Sequence, residues 1–151
     1  MDSSKIIAVI AQVLSDDATL NGLVDGAIVP GFRRALADQY LQGANQACIG
    51  IRNLSKSSQG LPGCATHGGS TQDMLVEIRI ITMLTTTRQD DSYAAAIASR
   101  IEDVLKAGII KTMGSESYQI HVGNINFTPL MDDQFFDRIE SQSTIKLRFY
   151  G

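Results

Sequence analysis

One of the two cysteines and one of the two histidines lie together in the polar segment LSKSSQGLPGCATHGGSTQD, residues 54–73. Cys64 and His67 form a Cys-x-x-His spacing, which places a thiol near an imidazole. A catalytic pair of this kind needs a third group that orients it, and a zinc ion needs about four ligands. Only Cys48 and His121 remain as further soft ligands, and they lie in separate predicted strands. The pattern favours solvated loop residues, and a small Cys/His hydrolase is the enzyme alternative.

Two other polar clusters could hold a phosphate or a metal ion. ATHGGSTQ (residues 65–72) combines glycines with hydroxyl groups, but it lacks the G-x-x-x-x-G-K-[ST] pattern and precedes a strand. Asp132, Asp133 and Asp137 could bind a hard cation, although the glycines and the ligand alternation of a calcium loop are missing. We therefore expect no catalytic residue, no cofactor, no metal site and no enzymatic activity.

Composition argues against several classes of protein. The chain has 151 residues, 44% of them hydrophobic and 19% charged, which predicts a single globular domain over residues 1–151. The formal net charge is −3 and there is no basic run, so we expect no direct sequence-specific binding of nucleic acid. The apolar runs are too short for a membrane span. The MDSS start lacks the basic region of a signal peptide, so we expect a cytoplasmically made protein with reduced cysteines.

Hydrophobic spacing predicts two main helices. The first begins at Ser3 or Ser4 and carries apolar side chains at Ile6, Ile7, Val9, Ile10, Val13 and Leu14. The second follows Asp90 and Asp91, ends near Gly108, and has its buried stripe at Tyr93, Ile97, Ile101, Val104 and Leu105. Between the first helix and the first strand we expect a short helical turn in DDATLNGLV, an extended piece in DGAIVPG, and either a helical turn or an excursion over residues 32–45.

Alternation of apolar and polar residues predicts four strands. They are ACIGIRN (47–53), MLVEIRIITML (74–84), YQIHVGNINF (118–127) and STIKLRFYG (143–151). The third strand changes register near Gly123, as a β-bulge would require. Strands in adjacent pairs with helices between them predict an α+β domain, in which a single mixed or antiparallel β-sheet of about four strands is covered by two helices.

The polar segment between the first two strands predicts a long flexible loop over residues 55–72. Ordinary connections have about four to six residues, and loops of this length are usually functional or disordered. Since the loop holds no catalytic constellation, we expect it to contact another subunit. The candidate contact residues are the large apolar side chain of the loop, the charged side chains of the outward sheet face and a phenylalanine pair among acids: Leu61, Glu77, Arg79, Phe135, Phe136, Lys146 and Arg148.

Four segments and their order carry a resemblance to a known family. They are IIAVIAQVLSDDATLNGLV, the ACIGIRN strand with the polar loop behind it, MLVEIRIITMLTTT running into DDSYAAAIASRIEDVLKAG, and the closing STIKLRFYG. In this arrangement the chain resembles the tail terminator and neck proteins of tailed bacteriophages, the group that contains the lambda-type minor tail protein U. The resemblance covers nearly the whole chain, and residues 23–46 fit it least.

The resemblance implies a virion structural protein. The implied role is that of a tail terminator, which forms a homohexameric ring that ends tail-tube polymerisation and joins the tail to the head connector. The implied partners are further copies of the chain, the tail tube protein and the head–tail connector or stopper protein. The implied location is the tail or neck of the virion, after assembly in the host cytoplasm. A head-completion or stopper ring of the neck is the alternative within the group, and a soluble interaction adaptor is an alternative of another class.

Overall fold

The computed structural model describes residues 3–60, 70–130 and 137–150, with the backbone alone described for residues 57–60, 70, 71 and 150. The helices in these ranges are α1 (Ser3–Asp16), α2 (Ala18–Leu23), α3 (Ala37–Tyr40) and α4 (Ser92–Leu105), and a 3-10 turn covers Arg34–Leu36. The strands are β1 (Ile28–Pro30), β2 (Ala47–Gly60), β3 (Ser70–Met83), β4 (Ile109–Met113), β5 (Glu116–Val122), β6 (Thr128–Leu130) and β7 (Arg138–Tyr150).

The two long helices bury most of the apolar stripes that their sequences predict, while Val13, Tyr93 and Val104 are only partly buried. Ile6, Ile10 and Leu14 of α1 lie in the core, as do Ile97 and Ile101 of α4. α4 ends just before Gly108, whose φ of +83° is a conformation that glycine adopts without strain. The stripes therefore place both helices on the same hydrophobic core.

An acidic cap ties α2 to α4. Asp17 stands at the N-terminus of α2, and its Oδ2 accepts a hydrogen bond from the Leu20 amide at 3.0 Å. Arg100 of α4 donates to both oxygens of the same carboxylate, at 2.9 and 2.6 Å. This guanidinium lowers the pKa of Asp17, so the cap stays ionised through the neutral range.

The sheet has seven strands, and the prediction of about four strands covered by two helices is wrong. The strand order is β1-β2-β3-β7-β5-β4, and β6 pairs with the first part of β7. β1 runs parallel to β2, and every other pairing is antiparallel, so the sheet is mixed. The sheet is also curled, since α1 contacts β1 at one end of the strand order and β4 at the other.

The three strands absent from the prediction are the short ones. β1, β4 and β6 have three to five residues, too few for alternation to stand out from chance. Pro30 and Pro129 also argue against central strand positions. These segments pair because the curl brings them beside a longer strand, which is a tertiary effect. At Gly123 the chain leaves β5 and makes a last amide contact with the Lys146 carbonyl at 2.8 Å, where the sequence indicated a bulge.

A second, smaller core lies on the sheet face opposite α1 and α4. Phe32 sits directly over Gly50 of β2, where an added Cβ would lie 2.2 Å from the Phe32 Cγ. The Tyr40 ring packs at 5.6 Å from the Phe32 ring. Cys48 and Ile81 complete this cluster from the sheet. The segment around α3, which the sequence left open between helix and excursion, therefore covers one end of this face.

The segment predicted as a flexible loop over residues 55–72 is β-strand at both of its ends. Its two ends belong to β2 and β3, which pair from Ser55 with Leu75 to Gly60 with Ser70 after a bulge between Asn53 and Ser55. The serine-rich and glycine-rich composition suggested a loop, but backbone hydrogen bonds extend the hairpin whatever the side chains are. Residues 61–69, which include Leu61, Cys64 and His67, lie outside the described residues.

Ile101 and Ile110 offer a matched test of the core. Ile101 is 0% exposed in the core, whereas Ile110 on β4 is 86% exposed. Ile101→Ala should lower the free energy of unfolding by about 2–5 kcal/mol, because it leaves a cavity under α4. Ile110→Ala should cost less than about 1 kcal/mol. Urea denaturation followed by circular dichroism measures both, and equal losses would show that α4 is not anchored through Ile101.

Candidate subunit interface on the second face of the sheet

The face of β3 and β7 that points away from α1 and α4, here called the second face, carries a buried charge network. Glu77 lies at its centre and is only 2% exposed. One carboxylate oxygen accepts a hydrogen bond from Arg79 Nη2 at 2.7 Å, and the other accepts one from Arg52 Nε. Arg79 Nη2 also donates to Gln142 Oε1 at 3.2 Å. Two guanidinium groups thus compensate one buried carboxylate.

Strand register explains why these side chains meet. Arg52 of β2 lies directly opposite Glu77 of β3, and Gln142 of β7 lies directly opposite Arg79. Glu77 and Arg79 are two residues apart on one strand, so both point to the same face. Directly opposed side chains in an antiparallel pair are close enough to interact. The network therefore follows from pairing three strands in this one register.

The outer end of the second face combines charge with an exposed leucine. Arg148 lies opposite Asp73 and donates to its two oxygens from Nε at 2.8 Å and Nη2 at 3.1 Å. Lys146 Nζ lies 3.7 Å from the same carboxylate. The Arg148 guanidinium is the main cause that lowers the pKa of Asp73. Leu75, opposite Lys146, is 39% exposed beside these charges.

At the inner end, ion pairs fasten the α3 segment across β7. Arg34 donates to both oxygens of Glu140, at 3.2 and 2.6 Å, and Glu140 is buried. Arg138 donates to Asp38 at 2.7 Å and to Asp137 at 3.3 Å. These contacts hold the second core against the sheet. They leave the outer end, around Leu75, Lys146 and Arg148, as the accessible part of the second face.

The structure brings four of the predicted contact residues together on this face. Glu77 and Arg79 are largely buried, so their contacts are internal to the domain, whereas Lys146 and Arg148 have side chains 59% and 49% exposed. Leu61, Phe135 and Phe136 lie outside the described residues. A contact role for any of these residues stays a prediction.

Sequence reasoning missed Arg52 as the partner of Glu77. The signal was present, because Arg52 follows Cys48 and Gly50 on the outward side of the first predicted strand. The pairing register with the next strand, which places Arg52 opposite Glu77, was not available from alternation alone.

Cys48 and His121 do not form a common site. Cys48 is fully buried opposite Ile81, and burial raises the pKa of its thiol to about 12. His121 lies opposite Arg148, which itself pairs with Asp73. Asp73 and Ile81 are separated by about 27 Å along β3 at the usual rise of a strand. The two side chains therefore cannot share a zinc ion or a proton.

The structure describes only some of the residues that the sequence suggested as metal ligands. Within residues 3–60, 70–130 and 137–150 there is no group of three or more His, Cys, Asp or Glu side chains placed to hold a metal ion. Of the three aspartates of the predicted acidic cluster, Asp137 contacts Arg138, while Asp132 and Asp133 lie outside the described residues. In the described part of the chain, no helix combines the length and apolar character needed to cross a membrane.

Comparison with known proteins identifies the fold. No protein-family model matches the chain, and no curated protein matches it in sequence. Among solved structures, it is similar to a chain from the virion of a native gene transfer agent (GTA) particle. The similarity covers 97% of this chain and 95% of that chain, with a TM-score of 0.59 and 16% sequence identity. At this identity the likeness shows a shared fold.

Removing the buried carboxylate tests the charge network. Glu77→Ala should lower the free energy of unfolding by about 3–5 kcal/mol, since Arg79 keeps its buried position without a counter-ion. Asp103→Ala is the matched control, because Asp103 pairs with Lys106 at 3.4 Å where both side chains are at least half exposed. The control should lose far less stability. Urea denaturation measures the two differences, and comparable losses would contradict the proposed importance of Glu77.

Thiol labelling tests the state of Cys48. In a Cys64→Ala variant, iodoacetamide should leave the folded protein unmodified at mildly alkaline pH and should label it in denaturant. A thiol with a pKa of about 12 has a thiolate population roughly a thousandfold below that of an ordinary cysteine at such a pH. Mass spectrometry reads the modification, and the Cys48→Ala variant reports Cys64 separately. Rapid labelling of folded Cys48 would mean that the thiol is accessible.

Proposed function

We propose that this chain is a structural protein of a phage-like virion, and that it acts as the tail terminator. In this role several copies, six by the family resemblance, form a ring that ends growth of the tail tube and joins the tail to the head connector. The observation that carries the proposal is the fold shared along nearly the whole chain with a chain of the gene transfer agent virion. The proposed role is non-enzymatic, and the proposed location is the tail or neck.

The β2–β3 hairpin supports an assembly role. β2 continues to Gly60, but its parallel neighbour β1 covers only the stretch from Ile49 to Ile51. Beyond that stretch, β2 has no second strand neighbour within the described residues. An uncovered strand edge offers backbone donors and acceptors to another chain. We propose that this part of the hairpin, together with residues 61–69, forms an arm that contacts a neighbouring subunit or the tail tube.

A stopper ring at the neck of the virion is the second candidate role for this chain. Both roles need a ring on the head side of the tail, and they differ at the tail tube: a terminator binds the end of the tube, and a stopper binds the connector but not the tube. Binding of the purified protein to tail tubes, compared with its binding to connectors from the same virion, therefore separates the two roles.

Shortening the hairpin tests the terminator proposal directly. Gly60 and Ser70 are direct partners, so an Asn-Gly turn can replace residues 61–69 without disturbing the strands. We expect this variant to keep its melting temperature, to form rings less readily, and to yield tails of uncontrolled length in electron micrographs. A variant that carries a Gly-Ser segment of the original length separates loss of side chains from loss of length.

Three results would contradict parts of this proposal. Normal tail lengths with the shortened variant would remove the arm from the mechanism. A wild-type protein that binds connectors but ignores tube ends would favour the stopper role. A wild-type protein that binds neither, and stays monomeric with both, would contradict the virion role itself.

A further inference from the structure

A groove runs between α4 and the segment that leads into β6, on the side of the sheet that carries the helices. Its volume is about 370 Å³. The walls are mostly apolar, with alanines on the helix side and larger side chains opposite: Ala94, Ala95, Ala98, Ile125, Phe127 and Pro129. Because α4 presents alanines here, the space between the helix and the segment stays open. We call this feature the α4 groove.

The α4 groove has an acidic rim. Asp91 and Glu102 line it, and no lysine or arginine is among its lining residues in the described part of the chain. Both side chains are exposed, and neither forms an ion pair with a described residue. An apolar groove with this rim suits an aliphatic side chain flanked by basic groups.

The outer end of the second face presents such an aliphatic side chain flanked by basic groups. Leu75 is exposed there, with Lys146 directly opposite it and Arg148 two residues further along β7 on the same face. Across the strands of this face, from β2 to β7, the basic side chains are Arg52, Arg79, Arg138, Lys146 and Arg148, and the carboxylates are Asp73, Glu77 and Glu140. The face therefore carries an excess of positive charge, although the whole chain is acidic.

We propose that the Leu75–Lys146 end of the second face docks into the α4 groove of another copy of this chain. The two surfaces lie on opposite faces of the sheet, so one copy cannot satisfy both by itself. A contact between two different surfaces repeats from copy to copy and closes into a ring when the rotation per copy allows it. The inference rests on the proposed function and names the contact that would build its ring.

Charge reversal with compensation tests the docking. Lys146→Glu and Glu102→Lys should each raise the apparent dissociation constant of the ring by at least about tenfold, because each places like charges together. The double variant should recover most of the loss, since it swaps the charges across the contact. Lys106→Glu is the matched control, because it changes the net charge equally at an exposed site of α4 outside the groove lining. Sedimentation velocity, with and without tail tubes, measures assembly.

Filling the groove provides a second test. Ala95→Trp, at an exposed position of α4, should block assembly while the circular dichroism spectrum and melting temperature stay unchanged. If the charge-reversal variants and Ala95→Trp all form rings as the wild type does, the proposed docking contact is wrong, although the proposal of a ring stands. If these variants form rings that no longer bind tail tubes, the docking contact is wrong and the groove contacts the tail tube instead. A wild-type protein that stays monomeric even with tubes would overturn the ring, and the docking with it.

Discussion

The burial of α1 inside the curl of the sheet is the constraint on which the rest of the structure depends. The buried side chains of α1 cover a broad arc of the helix, from Ile6 and Val9 to Leu14. A flat sheet can cover one side of such a helix, whereas a curled sheet covers more of it. The strands at the two ends of the sheet, β1 and β4, both contact α1, and Lys111 of β4 forms an ion pair with Asp16 of the helix. The short strands at the edges follow from this closure.

Curling the sheet around α1 turns the second face outward, where it cannot be covered by the same helices. β3 and β7 pair over thirteen residue positions, so this face is long. The inner end is closed by the α3 segment, and the centre is closed by the network around Glu77. A one-residue slip of β3 against its neighbours would turn Glu77 into the hydrophobic core. The buried carboxylate therefore helps to specify the register, whatever its net effect on stability.

The sequence predicted the long elements and missed what depends on tertiary neighbours. Helix periodicity located α1 and α4, and alternation located parts of β2, β3, β5 and β7, although the third predicted strand ran past Val122, where β5 ends. β1, β4 and β6 are too short to show a period, and the outer hairpin is too polar to suggest strands. For the candidate interface, alternation put Glu77, Arg79, Lys146 and Arg148 on one face. It could not predict which of them are buried, because that depends on Arg52 and on the pairing register.

The distribution of charge bears on how copies of this chain can associate. If two copies met through their second faces, Lys146 and Arg148 of one would lie near the same residues of the other, and like charges would oppose the contact. The α4 groove carries the opposite charge on the opposite side of the sheet. The polarity of the subunit therefore favours a head-to-tail arrangement over a two-fold dimer through the second face. The fold tolerates 16% identity with its structural neighbour because helix and strand periods can be kept by many sequences. These two surfaces depend instead on particular side chains, and they are where a specific role in assembly would be encoded.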